Sequence, residues 1–410
     1  MTAGRPPVAV VGMGVKAPGG CTVDELWQSL CKSLSTAREF DDPRLPPDVR
    51  ILVSLVDDFD PAAYLTPAEV RRFDRSHQLA VGAAQDAMDA VQGPLPPPER
   101  CAVVCGVGLG ASATYDEQHA NLLERGVRAM SPLTTPMVMP SATASLLSLR
   151  LGFRGPCLTV ATACASGATA IGEGVELLRR GAADLVLAGG VDSLVTYGAL
   201  CSFSRLDVMS TNVGAPDLAS RPFDADRDGF VMGEGAGFVV LTTPEHARGA
   251  GWEILGVVAG YGSNADAHHL VAPSPGGEGA LRCMRLALAD AGVGRSEVAH
   301  FNATGPSTVL NDRAVAEALV ALFGSDGPPV TAVKGTTGHL VAGSGAVEAI
   351  VSVLSARTGL VPPVSGLRTL DPATPVDAVM GEVRRVGAGY GLSSSFGFGG
   401  ANAALLIGSG

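Results

Sequence analysis

The segment GPCLTVATACASGA, residues 155–168, decides the fold of this chain. Its apolar run CLTVATA (157–163) predicts a buried strand, and the small residues that follow leave room for a sharp turn. Apolar residues then recur at helical spacing as far as Gly181, a natural end for a helix. Cys164 therefore lies at the junction of a strand and a helix.

At such a junction the positive end of the helix lowers the pKa of a thiol and favours the thiolate. The sequence around Cys164 thus fits a nucleophile that works on a closely held substrate. On local context alone, a small buried thiol without chemistry is an equal alternative. We keep that simpler interpretation for the other cysteines of the chain.

Strands and helices alternate along the rest of the sequence. A helix over 65–74 is indicated by Thr66 as N-cap, by Pro67 directly after it and by Glu69 three residues after the cap. The alternation predicts βαβ units, with mostly parallel sheets covered by helices. The stretch 244–252 is the nearest approach to a hinge between two halves. Further strands are predicted over 8–14, 100–108, 183–193, 237–243, 253–262, 298–305, 330–339 and 390–400, and a further helix over 277–291.

The composition excludes several classes of protein. A hydrophobic fraction of 46% with 17% charged residues rules out intrinsic disorder. The net charge of −11 disfavours nucleic acid and anionic membranes, since phosphate contacts need clustered Lys and Arg. Eight cysteines, without a C-x-x-C motif or a zinc-like spacing, indicate a reduced cytoplasmic setting and no metal site. The uncharged stretches 129–149 and 386–410 are broken by Ser, Thr, Pro or Gly, so we expect no membrane span.

A second group of chemically capable residues lies in KGTTGHLVAGSGAVEA (334–349). Lys334, His339 and Glu348 surround a glycine-rich turn from strand to helix, and such a set can orient and protonate an intermediate. An ordinary helix start is an equal alternative. His269, one of two adjacent histidines in a polar loop, is a candidate to line a substrate pocket, although solvated loop histidines are the simpler interpretation.

Two glycine-rich segments allow further sites. The loop FGFGG (396–400) offers backbone N–H groups beside two aromatic rings, and it either forms part of an oxyanion hole or packs a turn. The motif G-x-G-x-x-A at 12–17 follows a strand, but the acidic residue expected at the end of a second strand is missing. We therefore reject a dinucleotide site.

Five segments in one order resemble the motif set of the β-ketoacyl-carrier-protein synthases. The resemblance is strongest to the elongating ketosynthases of fatty acid and polyketide synthesis, and it extends from Val8 to Ile407. Five motifs in a fixed order make chance agreement negligible. The segments are GPCLTVATACASGA (155–168), RPFDADRDGFVMGEGAG (221–237), FNATGPSTVLND (301–312), VKGTTGHLVAGSGAVE (333–348) and SSSFGFGGANAAL (393–405).

The resemblance implies a thiolase fold, which is a five-layered αβαβα body built from two similar halves. Residues 1–250 would form the half with the nucleophilic cysteine, and 251–410 the half with the lysine and histidine. A dimer is also implied, of two copies or with another ketosynthase, in which the strand before Cys164 continues the sheet. No bound cofactor is expected, because the substrate arrives on the phosphopantetheine arm of an acyl carrier protein or a peptidyl carrier protein.

The resemblance also implies roles for single residues. Cys164 receives the acyl chain, and the backbone N–H groups of Cys164 and Phe398 form the oxyanion hole. Gly399 belongs with them to the oxyanion hole and gate, the Phe398 ring gates the pocket, and Phe396 lines it. The remaining matches are to the family's second histidine, its lysine and the glutamate that orders the site: His339, Lys334 and Glu348.

Two positions depart from the family motifs. Thr304 stands where the motif N-A-H-G-T has its histidine, and Ser394 stands where asparagine is common. In the family two histidines drive the decarboxylation of malonyl groups and stabilise the enolate. A threonine hydroxyl donates a hydrogen bond but does not exchange protons near neutral pH. We therefore predict intact machinery for accepting an acyl group and impaired machinery for making a carbon nucleophile.

Three functions fit this pattern. We favour an acyltransferase of secondary metabolism that passes the acyl group to an alcohol, an amine or a second carrier, or closes a ring. The second is a working condensing enzyme that manages with Thr304. The third is a non-catalytic partner like a chain-length factor, which usually lacks the cysteine retained here at Cys164. A docking surface for an acidic carrier protein, or simply a solvated helix face, is predicted at three basic residues, Arg71, Arg72 and Arg75.

Overall fold

Strands and helices alternate through residues 4–46 and 48–410, the part of the chain that the computed structural model describes. The strands are β1 (Val8–Lys16), β2 (Arg38–Glu39), β3 (Leu52–Ser54), β4 (Cys101–Val107), β5 (Cys157–Val160), β6 (Leu185–Ser193), β7 (Met232–Thr242), β8 (Gly256–Ala265), β9 (Val298–Asn302), β10 (Val330–Thr331), β11 (Leu360–Val361), β12 (Arg384–Arg385), β13 (Tyr390–Phe396) and β14 (Ala401–Gly408). The α-helices are α1 (Val23–Cys31), α2 (Pro67–Arg72), α3 (Arg75–Asp89), α4 (Ser112–Arg125), α5 (Thr134–Val138), α6 (Ala142–Leu151), α7 (Ser166–Arg179), α8 (Tyr197–Ser204), α9 (Pro244–Ala250), α10 (Glu278–Ala291), α11 (Val309–Phe323), α12 (Lys334–Thr337) and α13 (Ala342–Thr358).

The two halves of the chain repeat one strand order. Hydrogen bonds connect the strands in the order β1-β7-β6-β4-β5 in the first half and β8-β14-β13-β9-β10 in the second. In both halves the first two pairs are antiparallel and the last two are parallel. The antiparallel pairing of β1 with β8 joins the halves. The predicted division at residue 250 coincides with the end of α9, shortly before the second repeat begins.

The prediction of mostly parallel sheets is therefore wrong. β13 and β14 are joined only by residues 397–400, and such a short connection gives a hairpin with antiparallel strands. Parallel neighbours need a crossover of a dozen or more residues. The antiparallel pairing of β13 with β14 follows from this connection. β6 and β7 are also antiparallel, but the segment that joins them, 194–231, is long and contains α8.

Helices form three layers around the strands. α7 and α13 pack on each other and touch strands of both halves, so they make the middle layer. α3 and α6 cover the outer face of the first half, and α10 and α11 cover that of the second. The order is thus the αβαβα arrangement of the thiolase fold that the motif resemblance implies.

Glycines allow the close approach of the two middle helices. A Cβ atom at Gly167 would lie 2.5 Å from the carbonyl oxygen of Ala342, and one at Gly345 would lie 2.8 Å from the amide nitrogen of Ala168. Neither position has room for a larger residue. The small residues of the two motifs therefore set the distance between α7 and α13.

Most predicted elements are found, with differences at their ends. β10 covers only two residues, because the chain turns into α12 soon after it. The stretch 244–252 is largely the helix α9 rather than a hinge, and Thr243 caps this helix by accepting the N–H of His246 at 3.2 Å. The predicted start of α2 is confirmed, since Glu69 and Thr66 accept each other's backbone N–H groups. No helix in the described ranges is both long and apolar enough to cross a membrane.

Candidate active site

Cys164 lies in a short turn between β5 and α7. The residue before it, Ala163, adopts a φ of +49°, which L-residues rarely do. Ser166 supports this turn, because its Oγ donates to the Ala163 carbonyl at 2.6 Å and accepts the Thr162 N–H at 2.9 Å. The thiol is thereby held directly before the first turn of α7.

His339 occupies the equivalent place in the second half, between β10 and α13. Its backbone is fixed to the start of β7, where its N–H donates to Val231 at 2.8 Å and its carbonyl accepts the N–H of Gly233 at 2.9 Å. Its Nε2 lies 3.2 Å from Sγ of Cys164. The repeated fold thus brings together two residues that are 175 positions apart in the sequence.

The other ring nitrogen of His339 faces hydrogen-bond donors. The Val341 N–H donates to Nδ1 at 3.2 Å. Ser344 Oγ lies 3.1 Å from Nδ1 and already accepts the Leu340 N–H at 3.0 Å, so its own hydrogen is directed to the ring. Nδ1 is therefore the acceptor, and the proton of the neutral ring is on Nε2, facing the thiol.

Lys334 and Glu348 form an ion pair behind the cavity. Lys334 Nζ donates to the Glu348 carboxylate and to the backbone carbonyl of Thr304. Both side chains are almost completely buried. Burial raises the pKa of Glu348 to about 7, although the adjacent lysine lowers it. The pair therefore influences the cavity in two ways: Lys334 binds the backbone carbonyl of Thr304, and its positive charge acts on Cys164 and His339.

Burial decides the protonation of the Cys164–His339 pair. It raises the pKa of the thiol to about 11, against the opposing effects of Lys334 and of the backbone N–H groups of Phe398 and Cys164. Burial, aided by the charge of Lys334, also holds the pKa of His339 well below its ordinary value. The expected thiolate is thus wrong for the free site, which contains a neutral thiol beside a neutral imidazole.

Thr304 and Ser394, the two departures from the family motifs, contact each other. The Thr304 side chain is buried, and its hydroxyl donates to the Ser394 carbonyl at 2.8 Å. The Thr304 N–H lies 3.4 Å from Ser394 Oγ. The single hydroxyl hydrogen of Thr304 is therefore used within the protein and is not presented to a substrate.

Cys164, Thr304 and His339 line one cavity of about 530 Å³. Most predicted site residues meet there, whereas Lys334 and Glu348 stay behind its wall. The other predicted residues that line this cavity are His269, Phe396 and Phe398.

The predicted role of Gly399 is not supported by its contacts. Its N–H donates to the carbonyl of Leu270 at 2.7 Å, so it is not available to an oxyanion. The N–H groups of Phe398 and Cys164, by contrast, lie against the thiol. The loop therefore offers one donor at Phe398 and uses the next one to hold itself in place.

Sequence reasoning missed two residues that hold the site. The buried carboxylate of Asp192 accepts the N–H of Gly108 at 3.0 Å and that of Ala342 at 2.9 Å, so it ties both halves together beside the cavity. The Phe230 ring meets the His339 ring edge-on, with 5.2 Å between centroids. A charged residue at the end of the apolar strand β6 was the available signal for Asp192.

Family models and a curated relative match most of the chain. The model of the β-ketoacyl synthase N-terminal domain matches residues 5–247, and that of the C-terminal domain matches residues 255–368. The 3-oxoacyl-[acyl-carrier-protein] synthase 2 of Staphylococcus aureus (strain COL) is 36% identical over 404 residues, which are 98% of this chain and 97% of that protein.

Solved structures share the fold over nearly the whole chain. The ishigamide ketosynthase/chain length factor has a TM-score of 0.90 and 32% identity, covering 99% of this chain and 100% of that one. A type II polyketide synthase ketosynthase, bound to a hexaketide and in complex with its acyl carrier protein, has a TM-score of 0.91 and 25% identity, with 99% and 100% covered.

The repeated five-layered fold, with a cysteine and a histidine meeting where its halves join, defines the class of thiolase-fold enzymes. The chain belongs to the β-ketoacyl synthase family. It is an acyltransferase of the β-ketoacyl-acyl-carrier-protein synthase type.

Proposed function

We propose that this protein takes an acyl group from a carrier-protein thioester onto Cys164 and passes it to an acceptor, or cyclises it, in polyketide or other secondary-metabolite biosynthesis. Decarboxylative condensation is impaired. One observation carries the proposal: the Thr304 hydroxyl, at the place of the family's histidine, donates to the Ser394 carbonyl at 2.8 Å.

Acylation uses groups that are all present in the site. The sulfur of Cys164 attacks the thioester carbonyl carbon, and negative charge develops on the carbonyl oxygen. The N–H groups of Cys164 and Phe398 are the proposed donors to that oxygen. The phosphopantetheine thiol leaves with the proton of Cys164, so the exchange of one thioester for another balances without a cofactor.

Decarboxylation depends on the part of the site that has changed. Loss of carbon dioxide from a malonyl thioester places charge on the thioester oxygen as an enolate. His339 offers one donor at Nε2, but the hydrogen of Thr304 is used by Ser394. Losing a positioned donor or general acid costs about 10²–10⁴ in rate. Condensation is therefore slowed far more than acyl transfer.

We propose that the acyl group arrives on the phosphopantetheine arm of an acyl carrier protein or a peptidyl carrier protein. The similar ketosynthase in complex with its carrier protein supports this delivery. Arg71 and Arg72 are exposed and stay candidates for docking the carrier. Arg75 is less exposed than these two residues and pairs with the buried Glu234 at 2.9 Å.

We also propose a dimer, of two copies or with another ketosynthase. β5 is an edge strand of the sheet, and its Leu158 is 40% exposed although its sequence is apolar. An apolar edge of this kind is suited to continuing the sheet into a neighbour. The similar ketosynthase/chain length factor supports a mixed pair as the alternative to a homodimer.

The likeness to a ketosynthase/chain length factor favours one competing function, a non-catalytic partner subunit. Against it stands the contact of 3.2 Å between Cys164 and His339, which a non-catalytic subunit does not need. A working condensing enzyme is the other alternative. It would have to decarboxylate with a single imidazole.

The deciding experiment compares products from a hexanoyl-carrier thioester with and without malonyl-carrier. We expect the hexanoyl group on Cys164 in both cases, detected by intact-mass spectrometry, and little β-ketoacyl product. Rapid formation of the β-ketoacyl product would establish the condensing enzyme instead. Absence of any adduct would favour the partner subunit.

A further inference from the structure

The two histidines that line the cavity are both held as proton donors. In His339, Nδ1 accepts the Val341 N–H at 3.2 Å, which leaves the ring proton on Nε2. In His269, Nδ1 accepts the N–H groups of Val271 at 3.0 Å and Ala272 at 3.1 Å, with the same consequence. Each ring thus carries its proton on Nε2, and the lone pair of its Nδ1 is used by the backbone.

Neither of these histidines can therefore remove a proton from an incoming acceptor. The Thr304 hydroxyl does not help, because it neither carries charge nor frees its hydrogen from Ser394. An alcohol must lose its proton as it attacks a thioester, so it depends on a general base. An amine attacks with its own lone pair once its cation has released one proton to water, and it loses a second proton after the bond to carbon has formed. The arrangement of protons therefore favours amines over alcohols.

The charge of the cavity lining favours amines over the anionic acceptors, which are malonyl groups and thiolates. Three aspartates line the cavity, and no lysine or arginine is found among its lining residues in the described chain. Arg221, which is not one of the lining residues, is 4.0 Å from one of these carboxylates and leaves the lining acidic overall. Negative potential raises the local concentration of cations and opposes anions such as a malonyl carboxylate or a thiolate. The three residues are Asp207, Asp228 and Asp266.

We propose that the acceptor of the acyl group is a primary amine and that the product is an amide. This inference rests on the proposed acyl transfer to Cys164. The amine nitrogen bonds to the thioester carbonyl carbon, and the bond from that carbon to Sγ breaks. The proton lost by nitrogen passes to the departing sulfur, so that thioester and amine become amide and thiol. The Nε2–H of His339, 3.2 Å from Sγ, stabilises the sulfur as it leaves.

The test uses three acceptors that differ in one atom: glycinamide, glycolamide and 2-mercaptoacetamide. The full chain is first loaded with hexanoyl-N-acetylcysteamine and desalted, and the hexanoyl adduct is confirmed by intact mass. Discharge of the adduct and the product formed are then followed with each acceptor. The same acceptors react with free hexanoyl-N-acetylcysteamine as a control for their intrinsic reactivity.

We expect glycinamide to discharge the enzyme at least about 10²-fold faster than glycolamide, since a missing general base costs the alcohol about 10²–10⁴. Glycinamide should also discharge the enzyme faster than it cleaves the free thioester of the control. N-hexanoylglycinamide should be the product. Equal discharge by glycolamide, discharge by the thiol alone, or no discharge by glycinamide above hydrolysis would each overturn the inference. Failure to load the adduct would instead overturn the proposed function, so the two failures are distinguishable.

Discussion

In each half of the molecule, a hydrogen bond connects the residue just beyond one strand to the neighbouring parallel strand. The groups that form this brace differ between the halves. After β4, the Gly108 N–H donates to the carboxylate of Asp192 on β6 at 3.0 Å. After β9, the hydroxyl of Thr304 donates to the carbonyl of Ser394 on β13 at 2.8 Å. The first brace is a buried carboxyl whose pKa burial raises to about 7, and the second consists of neutral groups.

By the motif resemblance, this difference lies where the sequence departs from the family. The first half keeps Cys164 and its turn as the family motifs have them, and both departures lie in the second half. Because the repeated topology places Thr304 beside Ser394, the two departures form one local unit. In the function proposed above, that unit affects the stabilisation of charge on a carbon nucleophile and leaves acyl transfer unchanged.

Removal of Cys164 is expected to have the largest effect, since it destroys the function of the first half. Cys164→Ala should acquire no acyl group from a carrier thioester, because the sulfur held at the donors of Cys164 and Phe398 is gone. Intact-mass spectrometry measures the adduct. Cys157→Ala, on the exposed β5, is the matched control and should be acylated normally. An adduct that persists in Cys164→Ala would assign the chemistry to another residue.

Restoring the imidazole at position 304 should make the second half resemble the family again. In Thr304→His, release of carbon dioxide from malonyl-carrier should rise by about 10²–10⁴, because a second donor then faces the enolate. Acylation of Cys164 should not change. The double variant with Ser394→Asn provides the family's pair.

Thr304→Val serves as the control for this series, because it removes the hydroxyl without adding an imidazole. No rise in carbon dioxide release is expected from it. Wild-type release as fast as that of Thr304→His would contradict the view that the site is specialised away from decarboxylation.

The Lys334–Glu348 pair tests how far the second half depends on a buried charge. Glu348→Gln leaves Lys334 buried without its partner, and we expect a loss of about 3–5 kcal/mol in the free energy of unfolding. Urea denaturation measures this loss. The exposed pair of Arg313 and Glu317, 2.9 Å apart, is the control, and Glu317→Gln should cost under about 1 kcal/mol. Equal losses would mean that Glu348 does not support the fold.

The pH dependence of alkylation sharpens the account of the first half. Because the pKa of Cys164 is raised to about 11, its reaction with iodoacetamide should rise about tenfold per pH unit between pH 8 and 10. The folded state holds this proton more tightly than the unfolded chain, so the thiol's contribution to stability is full below its ordinary pKa and is lost as the pH rises towards 11. Labelling that is specific for Cys164, with Cys164→Ala subtracted, measures the rate. A plateau below pH 8 would indicate a stabilised thiolate.

The smallest effect on the reaction is expected at the edge strand β5, where the predicted change concerns dimer formation. The chain should be at least dimeric at micromolar concentration by light scattering. Replacing the exposed Leu158 by lysine should weaken the dimer and leave the fold intact, because charged edge strands oppose pairing. A stable monomer in the wild type would disprove the dimer, and an equal amount of a second, copurifying ketosynthase would show that the pair is mixed.

The sequence by itself determined the family, the five-layered fold and the residues that meet at the site. Motifs that hold a turn or a helix start are local, so their order along the chain is enough to identify the repeated units. Cys164, His339 and Thr304 could be named for this reason. The position of the departures was also visible, because each lies within a contiguous motif.

Only the tertiary structure decided what these residues can do. The protonation of Cys164 depends on burial by both halves, and this outweighs the helix end that the sequence indicated. The hydrogen of Thr304 is directed by Ser394, and the N–H of Gly399 by Leu270. The ring proton of His339 is set by the start of α13. Each of these outcomes depends on a donor or acceptor brought close by folding, and spacing along the chain does not encode such partners when they come from another strand.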